Sequence, residues 1–267
     1  MMNQIFYTKK CSSTNDEIIH YLPNLKKIED EWITLYTFDQ TNGRGQYGNI
    51  WKISPNENLA FSMAFHQRKI LISDNLLNFH TANILRDFIA KKTETGVKVK
   101  WPNDIILQNK KISGMLIERK RVNGEIFIII GIGINILQES FENFPKAGSI
   151  FTQTNQRFDL NKWALEMNAY FMERLFNPPL SEQILDIYNQ NLFRKDIISV
   201  FEINKMRQNG IIKNADEKGF LWVDLEKDGL KKFYYKEIEL LYRLFISPFE
   251  IKISRQSTKE YVGHPHS

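Results

Sequence analysis

Apolar residues set a strand period in several stretches of this chain. Leu59, Phe61, Met63 and Phe65 alternate with Ala60, Ser62 and Ala64, which predicts a strand from about Asn58, and the run Trp32 to Phe38 predicts another before it. Ile5 and Phe6 suggest a short opening strand. Val97 to Lys100 alternates as a strand should and is ended by the turn Trp101-Pro102-Asn103-Asp104. Ile105 to Leu107 and Lys111 to Glu118 then read as a hairpin around Gln108-Asn109-Lys110. Asn123-Gly124 marks a type I′ turn into Glu125 to Ile134, whose apolar run predicts a central strand covered on both faces.

Helical spacing appears in four other places. Ser12 to Asn15 offers N-caps for a helix carrying Ile18, Ile19 and Leu22, with Thr14 and Glu17 spaced as a capping box. Ser73 starts a helix to about Lys92, buried through Leu77, His80, Ile84 and Phe88, with His80 at the edge of the core. Asp159 caps a third, with Trp163, Met167, Phe171 and Leu175 as a core stripe; Asn177-Pro178-Pro179 stops it, and Ser181 begins a short fourth helix to about Gln190. From Ile197 the pattern becomes short strands broken at Asn209-Gly210, Lys218-Gly219 and Asp228-Gly229. That describes a small β-barrel of about fifty residues. The expected class is therefore α+β, a mixed sheet packed with helices over 1–190, a small barrel over 191–242, and a tail, 243–267, without clear pattern.

Composition changes this picture little. At 267 residues, with mixed charges and no repeat, the chain can bury a sizeable core. The single cysteine, Cys11, excludes an internal disulfide framework and has no obvious paired histidine in sequence, so an inert thiol is expected. No signal-like or membrane-length apolar run appears, which makes the cytoplasm the default and a membrane partner unexpected. The net charge of +5 is scattered among acids and fits a site for anionic substrates at least as well as nucleic acid.

Candidate chemistry gathers at four places. Between the two predicted strands lies DQTNGRGQYGNIW, 39–51, where Gly43, Gly45 and Gly48 let amides converge on an anion and Arg44 adds a fixed charge. An ordinary glycine-rich hairpin loop is an equal alternative on this stretch alone. Arg44 has no obvious internal anion, so the loop is expected to order on a ligand. Lys100 ends a strand at a rigid turn, where sites gather. Gly131 and Gly133 inside a strand mean a ligand pressed on the backbone or, equally, packing against a helix. Ser13, Thr14 and Asn15 cap a helix whose free amides could serve a polar ligand.

Together, STN at 13–15, QTNGRGQYGNIW at 40–51, KWPND at 100–104, KISGMLIE at 111–118 and GIGIN at 131–135 resemble the catalytic domain of biotin protein ligases, over residues 1 to about 190. The C-terminal unit is similar to that family's SH3-like domain. The resemblance implies activation of biotin by ATP with magnesium to biotinyl-5'-adenylate, then transfer to a lysine of a biotin carboxyl carrier protein. It implies catalytic roles for Lys100 and Arg44. Around biotin it implies Ser13, Thr14, Asn15, Gln40, Gly43, Arg44, Gly45, Gln46, Lys100, Gly114, Gly131 and Gly133. Around ATP or the adenylate it implies Arg44, Trp51, Lys100, Asn103 and Asn135. Lys111 and Gly114 match a KxxG segment expected to support the pocket rather than act chemically. No metal-ligating residue is singled out.

Two features depart from the family pattern. Gln46 stands where many relatives carry arginine, which removes a charge from the loop, and the tail beyond about Tyr242 has no counterpart. Some members carry an N-terminal helix-turn-helix domain; here the STN motif begins at Ser13, so operator DNA is not an expected partner. A lipoate-protein ligase, or a non-catalytic adenylate- or nucleic-acid-binding module, are the competing readings, and monomer and homodimer both stay open.

Overall fold

The computed structural model describes residues 3–24, 32–51, 54–142 and 144–242, so the expected tail lies outside the described residues. In chain order the strands are β1 (Asn3–Tyr7), β2 (Trp32–Thr37), the two-residue β3 (Gly43–Arg44) and β4 (Ile50–Trp51), β5 (Asn58–His66), β6 (Val97–Lys100), β7 (Asp104–Leu107), β8 (Lys110–Val122) and β9 (Glu125–Asn135). A seven-stranded sheet runs β1-β2-β5-β9-β8-β7-β6, parallel only between β1 and β2. β9 is its middle strand, as its apolar run predicts.

The helices are α1 (Thr14–Glu17), α2 (Asp74–Thr93), α3 (Ile150–Thr154), α4 (Leu160–Arg174) and α5 (Ser181–Gln190). α2 packs on α4, α5, β6 and β7, and α4 on β5. Period-two alternation decides what each sheet face can hold. The bulky members of β5 and β9, among them Phe61, Phe65, Ile130 and Ile132, share one apolar cluster with Leu77, Phe88, Trp163 and Phe171 of the helices. Each fully buried side chain of this kind contributes roughly 1.5–3 kcal/mol. On the opposite face the same strands carry small residues: Ala60 pairs with Gly133, Ser62 with Gly131, and Gly114 of β8 with Gly133. That shallow floor leaves room above it.

The first predicted helix is mostly absent. After the four residues of α1 the chain continues as a 3-10 segment, Ile18–Asn24, with Pro23 inside it. Proline disfavours α geometry in the residue before it, and the expected capping box does not form: Ser13 is the N-cap without a side-chain bond. Ile18 and Leu22 still bury their side chains, against Ile33, Leu35 and Ile129. Ser73 and Asp159 do cap α2 and α4, accepting from the amides of Leu76 and Lys162.

The C-terminal strands β10 (Ile198–Ile203), β11 (Met206–Ala215), β12 (Leu221–Leu225), β13 (Gly229–Phe233) and β14 (Glu239–Leu241) form a sheet in the order β13-β12-β11-β10-β14. Its edge strands β13 and β14 do not pair, so the described strands make an open five-stranded sheet, consistent with the small SH3-like unit expected though not closed into a barrel. Asn209-Gly210 is no turn either. It lies inside β11, where a Cβ on Gly210 would stand 2.9 Å from Leu225 and 3.1 Å from Phe201; the reversal falls instead at Asn204 and Lys205, both at positive φ. The boundary we propose at Asn191 is where α5 ends. There the Val99 amide donates to the Asn191 carbonyl (2.9 Å) and the Phe193 amide to the Val99 carbonyl (2.8 Å), which pairs the otherwise open edge β6.

Cys11 bridges to Gln40 at the start of the glycine-rich loop. Burial first, then the nearby carboxylates of Glu17 and Asp39, push its thiol up to about 11. At pH 8 roughly one molecule in a thousand then carries a thiolate. We expect iodoacetamide to label Cys11 in urea but scarcely in the native protein, as mass spectrometry will show; fast native labelling would contradict an inert thiol.

Candidate functional site

The small face of β5, β8 and β9 is roofed by residues from α1 and the 39–51 loop. A neutral polar cluster sits at one end, with Ser13, Thr14, Asn15, Gln40 and Ser62 all buried. The Gln40 carbonyl Oε1 accepts from the Thr14 amide (2.8 Å) and lies 3.2 Å from its hydroxyl, so the Gln40 carbonyl is occupied and its NH2 end is left for other partners. The expected free amide at Thr14 is thereby already satisfied. Ser62 Oγ lies 2.6 Å from Asn15 Oδ1 and 2.8 Å from Thr14 Oγ1. With a single proton, Ser62 donates to the Asn15 carbonyl. Asn15 Nδ2 in turn donates to Glu118 (2.8 Å). A Cβ on Gly131 would lie 2.3 Å from Asn15 Oδ1, so the close approach that Gly131 permits is to Asn15.

β3 and β4 pair as a miniature hairpin, Gly43 opposite Trp51, which turns the Trp51 ring back over the floor. A Cβ on Gly133 would stand 2.3 Å from that indole, and one on Gly114 3.3 Å. The cleft consequently holds only about 110 Å3, less than the roughly 300 Å3 of small ligand pockets. The Trp51 indole N–H is buried without an acceptor among the described residues.

The expectation that Arg44 lacks an internal anion is wrong. Its guanidinium donates to both oxygens of Glu118 (3.1 and 3.0 Å) and to Asp16 (2.7 Å). Those carboxylates are 28 and 74 residues away in sequence, beyond the reach of local pattern. Burial opposes the charge on Glu118, but hydrogen bonds from Asn15 and Arg44 hold its carboxyl below the usual range.

At the other end lie the cations. Asp104, opposite Lys100 in the β6–β7 hairpin, takes Lys111 Nζ at 2.6 Å and Lys100 Nζ at 3.7 Å. Lys111 projects into the cleft, 5.5 Å from the Trp51 ring centroid, where cation and π-face attract. The turn that aims Lys100 is fastened on several sides. Asn78 and Tyr188 donate to the Pro102 carbonyl (2.8 and 3.1 Å), Asn103 donates to the Met115 carbonyl (2.5 Å), and Trp101 Nε1 donates to the Gly219 carbonyl of the C-terminal sheet (3.2 Å).

Of the expected site residues, Ser13, Thr14, Asn15, Gln40, Arg44, Gly45, Gln46, Trp51, Lys100, Asn103, Gly114, Gly131 and Gly133 border this one cleft. Gly43 lies behind it, its Cβ position 2.3 Å from Gln40 Nε2. Asn135 faces a neighbouring cavity of about 440 Å3 that shares Ile50, Trp51 and Lys111 with the cleft, and its NH2 donates to the Gly148 carbonyl (3.0 Å). Sequence reasoning gave no role to Asp104, Glu118, Ser62 or Tyr235. Asp104 and Glu118 stand inside motifs it quoted, and Tyr235 reaches the cleft from the C-terminal unit. Among the described residues no three His, Cys, Asp or Glu side chains group as a metal site, and no helix is long and apolar enough to cross a membrane.

Residues 8–135 match the Biotin/lipoate A/B protein ligase family. The chain is 31% identical over 232 residues to the bifunctional ligase/repressor BirA of Escherichia coli, covering 82% of this chain and 68% of that protein. It is 24% identical to the biotin--[acetyl-CoA-carboxylase] ligase of Mycobacterium tuberculosis, covering 83% of this chain and 84% of the other. Among solved structures, the biotin protein ligase of Aquifex aeolicus in complex with biotin and ATP is similar with a TM-score of 0.71 at 22% identity, covering 90% of this chain and 99% of that one. At that identity the likeness speaks for the fold.

Proposed function

Because this chain belongs to the biotin protein ligase family, whose members activate biotin and transfer it to a carboxylase, we propose that the cleft just described carries both halves of that reaction. The chain is a ligase. The observation that carries the assignment of residues is the meeting, in one cleft, of a neutral polar cluster and a pair of lysines on Asp104. A ureido ring needs donors and acceptors in a dry setting, which Gln40, Asn15 and Thr14 supply. A carboxylate attacking an α-phosphate needs cations, which Lys100, Lys111 and Arg44 supply.

The order of bonds follows from the chemistry. A biotin carboxylate oxygen bonds to the α-phosphorus as the bond to the diphosphate breaks; an uncharged lysine amine of the carrier then attacks the acyl carbonyl and AMP leaves. Nothing covalent to the enzyme is formed. Ligands of this size need Trp51 to give up its place over Gly133. The buried unpaired indole N–H makes that place costly, by about 1–3 kcal/mol, so Trp51 is poised to leave it for an adenine face. Adenine fits the adjoining cavity beside Ile50 and Phe141, where Asn135 keeps its carbonyl as an acceptor. Magnesium fits as a complex with the nucleotide phosphates, since among the described residues Asp104 is the one carboxylate beside the lysines and such ions take few protein ligands; bound there it would screen phosphate charge. The partner is a biotin carboxyl carrier domain in the cytoplasm.

The test incubates the protein with biotin, ATP, magnesium and a carrier domain and probes the carrier with streptavidin. We expect a biotinylated carrier that depends on ATP. Modification by lipoate but not biotin would move the chain to the lipoate branch, and none by either would defeat the assignment.

A further inference from the structure

Glu118 occupies an unusual place for a carboxylate. It follows Gly114 and Leu116 on the site face of β8, opposite Ile129 of β9, and its side chain is only 16% exposed. Two residues from separate parts of the chain converge on it. Asn15 Nδ2 donates to Oε2 at 2.8 Å, and Arg44 spans both oxygens at 3.1 and 3.0 Å. Lys120, at 3.3 Å from Oε1, balances the local charge.

The two contacts do different things. An amide side chain has a donor end and an acceptor end that are nearly the same shape, and only its partners decide which way it faces. Ser62 alone does not decide, because a hydroxyl can donate or accept. A carboxylate only accepts. Glu118 therefore requires the NH2 of Asn15 to face it, and the flipped amide would set its carbonyl oxygen against a full negative charge. For Arg44, the bidentate grip plus Asp16 uses three of five N–H donors. Nε–H and one Nη1 hydrogen have no partner among the described residues and are held in a fixed direction.

We propose that Glu118 is a positioning residue of the ligase: it fixes the face that Asn15 presents to biotin and the direction in which Arg44 presents its remaining donors to the acyl-phosphate. The inference rests on the functional reading above, through the roles given there to Asn15 and Arg44. Glu118 itself touches neither ligand.

The experiment measures biotin binding by calorimetry and single-turnover adenylation for the intact protein and for Glu118→Ala, Glu118→Gln, Asn15→Ala, Arg44→Ala and the doubles of Glu118→Ala with each. Glutamine keeps the volume but faces one of its two donor partners with another donor, so it is expected to behave like alanine while protecting against collapse of the strand. Either Glu118 variant should weaken biotin about tenfold, the value of one or two oriented hydrogen bonds. Adenylation at saturating biotin should fall several-fold further. In the doubles the losses should not add: Glu118→Ala should cost biotin affinity little once Asn15 is alanine, and adenylation rate little once Arg44 is alanine. Additive losses, or Glu118 variants that bind biotin within about twofold of the intact protein, would overturn the inference. Failure of the intact protein to bind biotin would instead overturn the functional reading.

Discussion

Replacing Lys100 with alanine is expected to slow biotinyl-adenylate formation roughly a hundred- to a thousand-fold, equivalent to about 2–4 kcal/mol in the chemical step. Two anions, a carboxylate and an α-phosphate, must approach in line, and a cation between them stabilises the transition state more than it stabilises either ligand alone. Lys100 ends β6, and its turn is fastened by Asn78, Tyr188 and Trp101, so the ammonium starts from a fixed origin. Folding should scarcely notice the change. Among the described residues its Nζ is tied only to Asp104, at 3.7 Å, a partly exposed pair worth about 0–1 kcal/mol, and Lys111 remains to neutralise Asp104 at 2.6 Å. Single-turnover adenylation with a thermal melt on the same protein is the measurement. Near-normal adenylation by a well-folded variant would take Lys100 out of the mechanism.

The persistence of Lys111 in that variant bears on how the site could be read from sequence. Lys100 was legible because a strand and a rigid turn lie next to each other in the chain. The position of Lys111 was not, because it depends on the β7–β8 register, which shifts between Ile105 and Ile106. The glycines of β9 announced a close approach, and the small members of β5 were visible in the alternation. That Ala60, Ser62, Gly114, Gly131 and Gly133 form one floor follows only from how three strands align. Arg44 shows the same limit more sharply, since Asp16 and Glu118 come to it from other elements. Two local propensities were overridden by packing. The Thr14 hydroxyl lies between Gln40 Oε1 and Ser62 Oγ instead of closing a capping box, and Asn209-Gly210 is drawn into β11 by Leu225 and Phe201. The helices α2 and α4 were legible because caps and apolar stripes there agree with the tertiary core, and α5, whose N-cap Leu180 makes no side-chain bond, through its buried Ile184 and Tyr188 alone.

A single methyl group on Gly131 is expected to cost biotin affinity thirty- to a hundred-fold, about 2–3 kcal/mol, while the protein stays folded. The added carbon would lie 2.3 Å from Asn15 Oδ1, 2.8 Å from its Cγ and 2.9 Å from its Nδ2. Asn15 cannot swing aside freely, since Ser62 holds one end of its amide and Glu118 the other. Making room breaks both bonds and shifts the start of α1. Gly133 offers the contrasting case. There the obstructing atoms belong to Trp51, at 2.3 Å, a side chain that the ligand must displace in any event. Gly133→Ala should therefore weaken nucleotide binding more than biotin binding, and Gly131→Ala the reverse. Calorimetric titration of each variant with biotin alone and with an ATP analogue separates the two. In an Asn15→Ala background, where the colliding amide is gone, Gly131→Ala should cost little more; an equal cost in both backgrounds would mean that the glycine serves the strand and not the seat of Asn15.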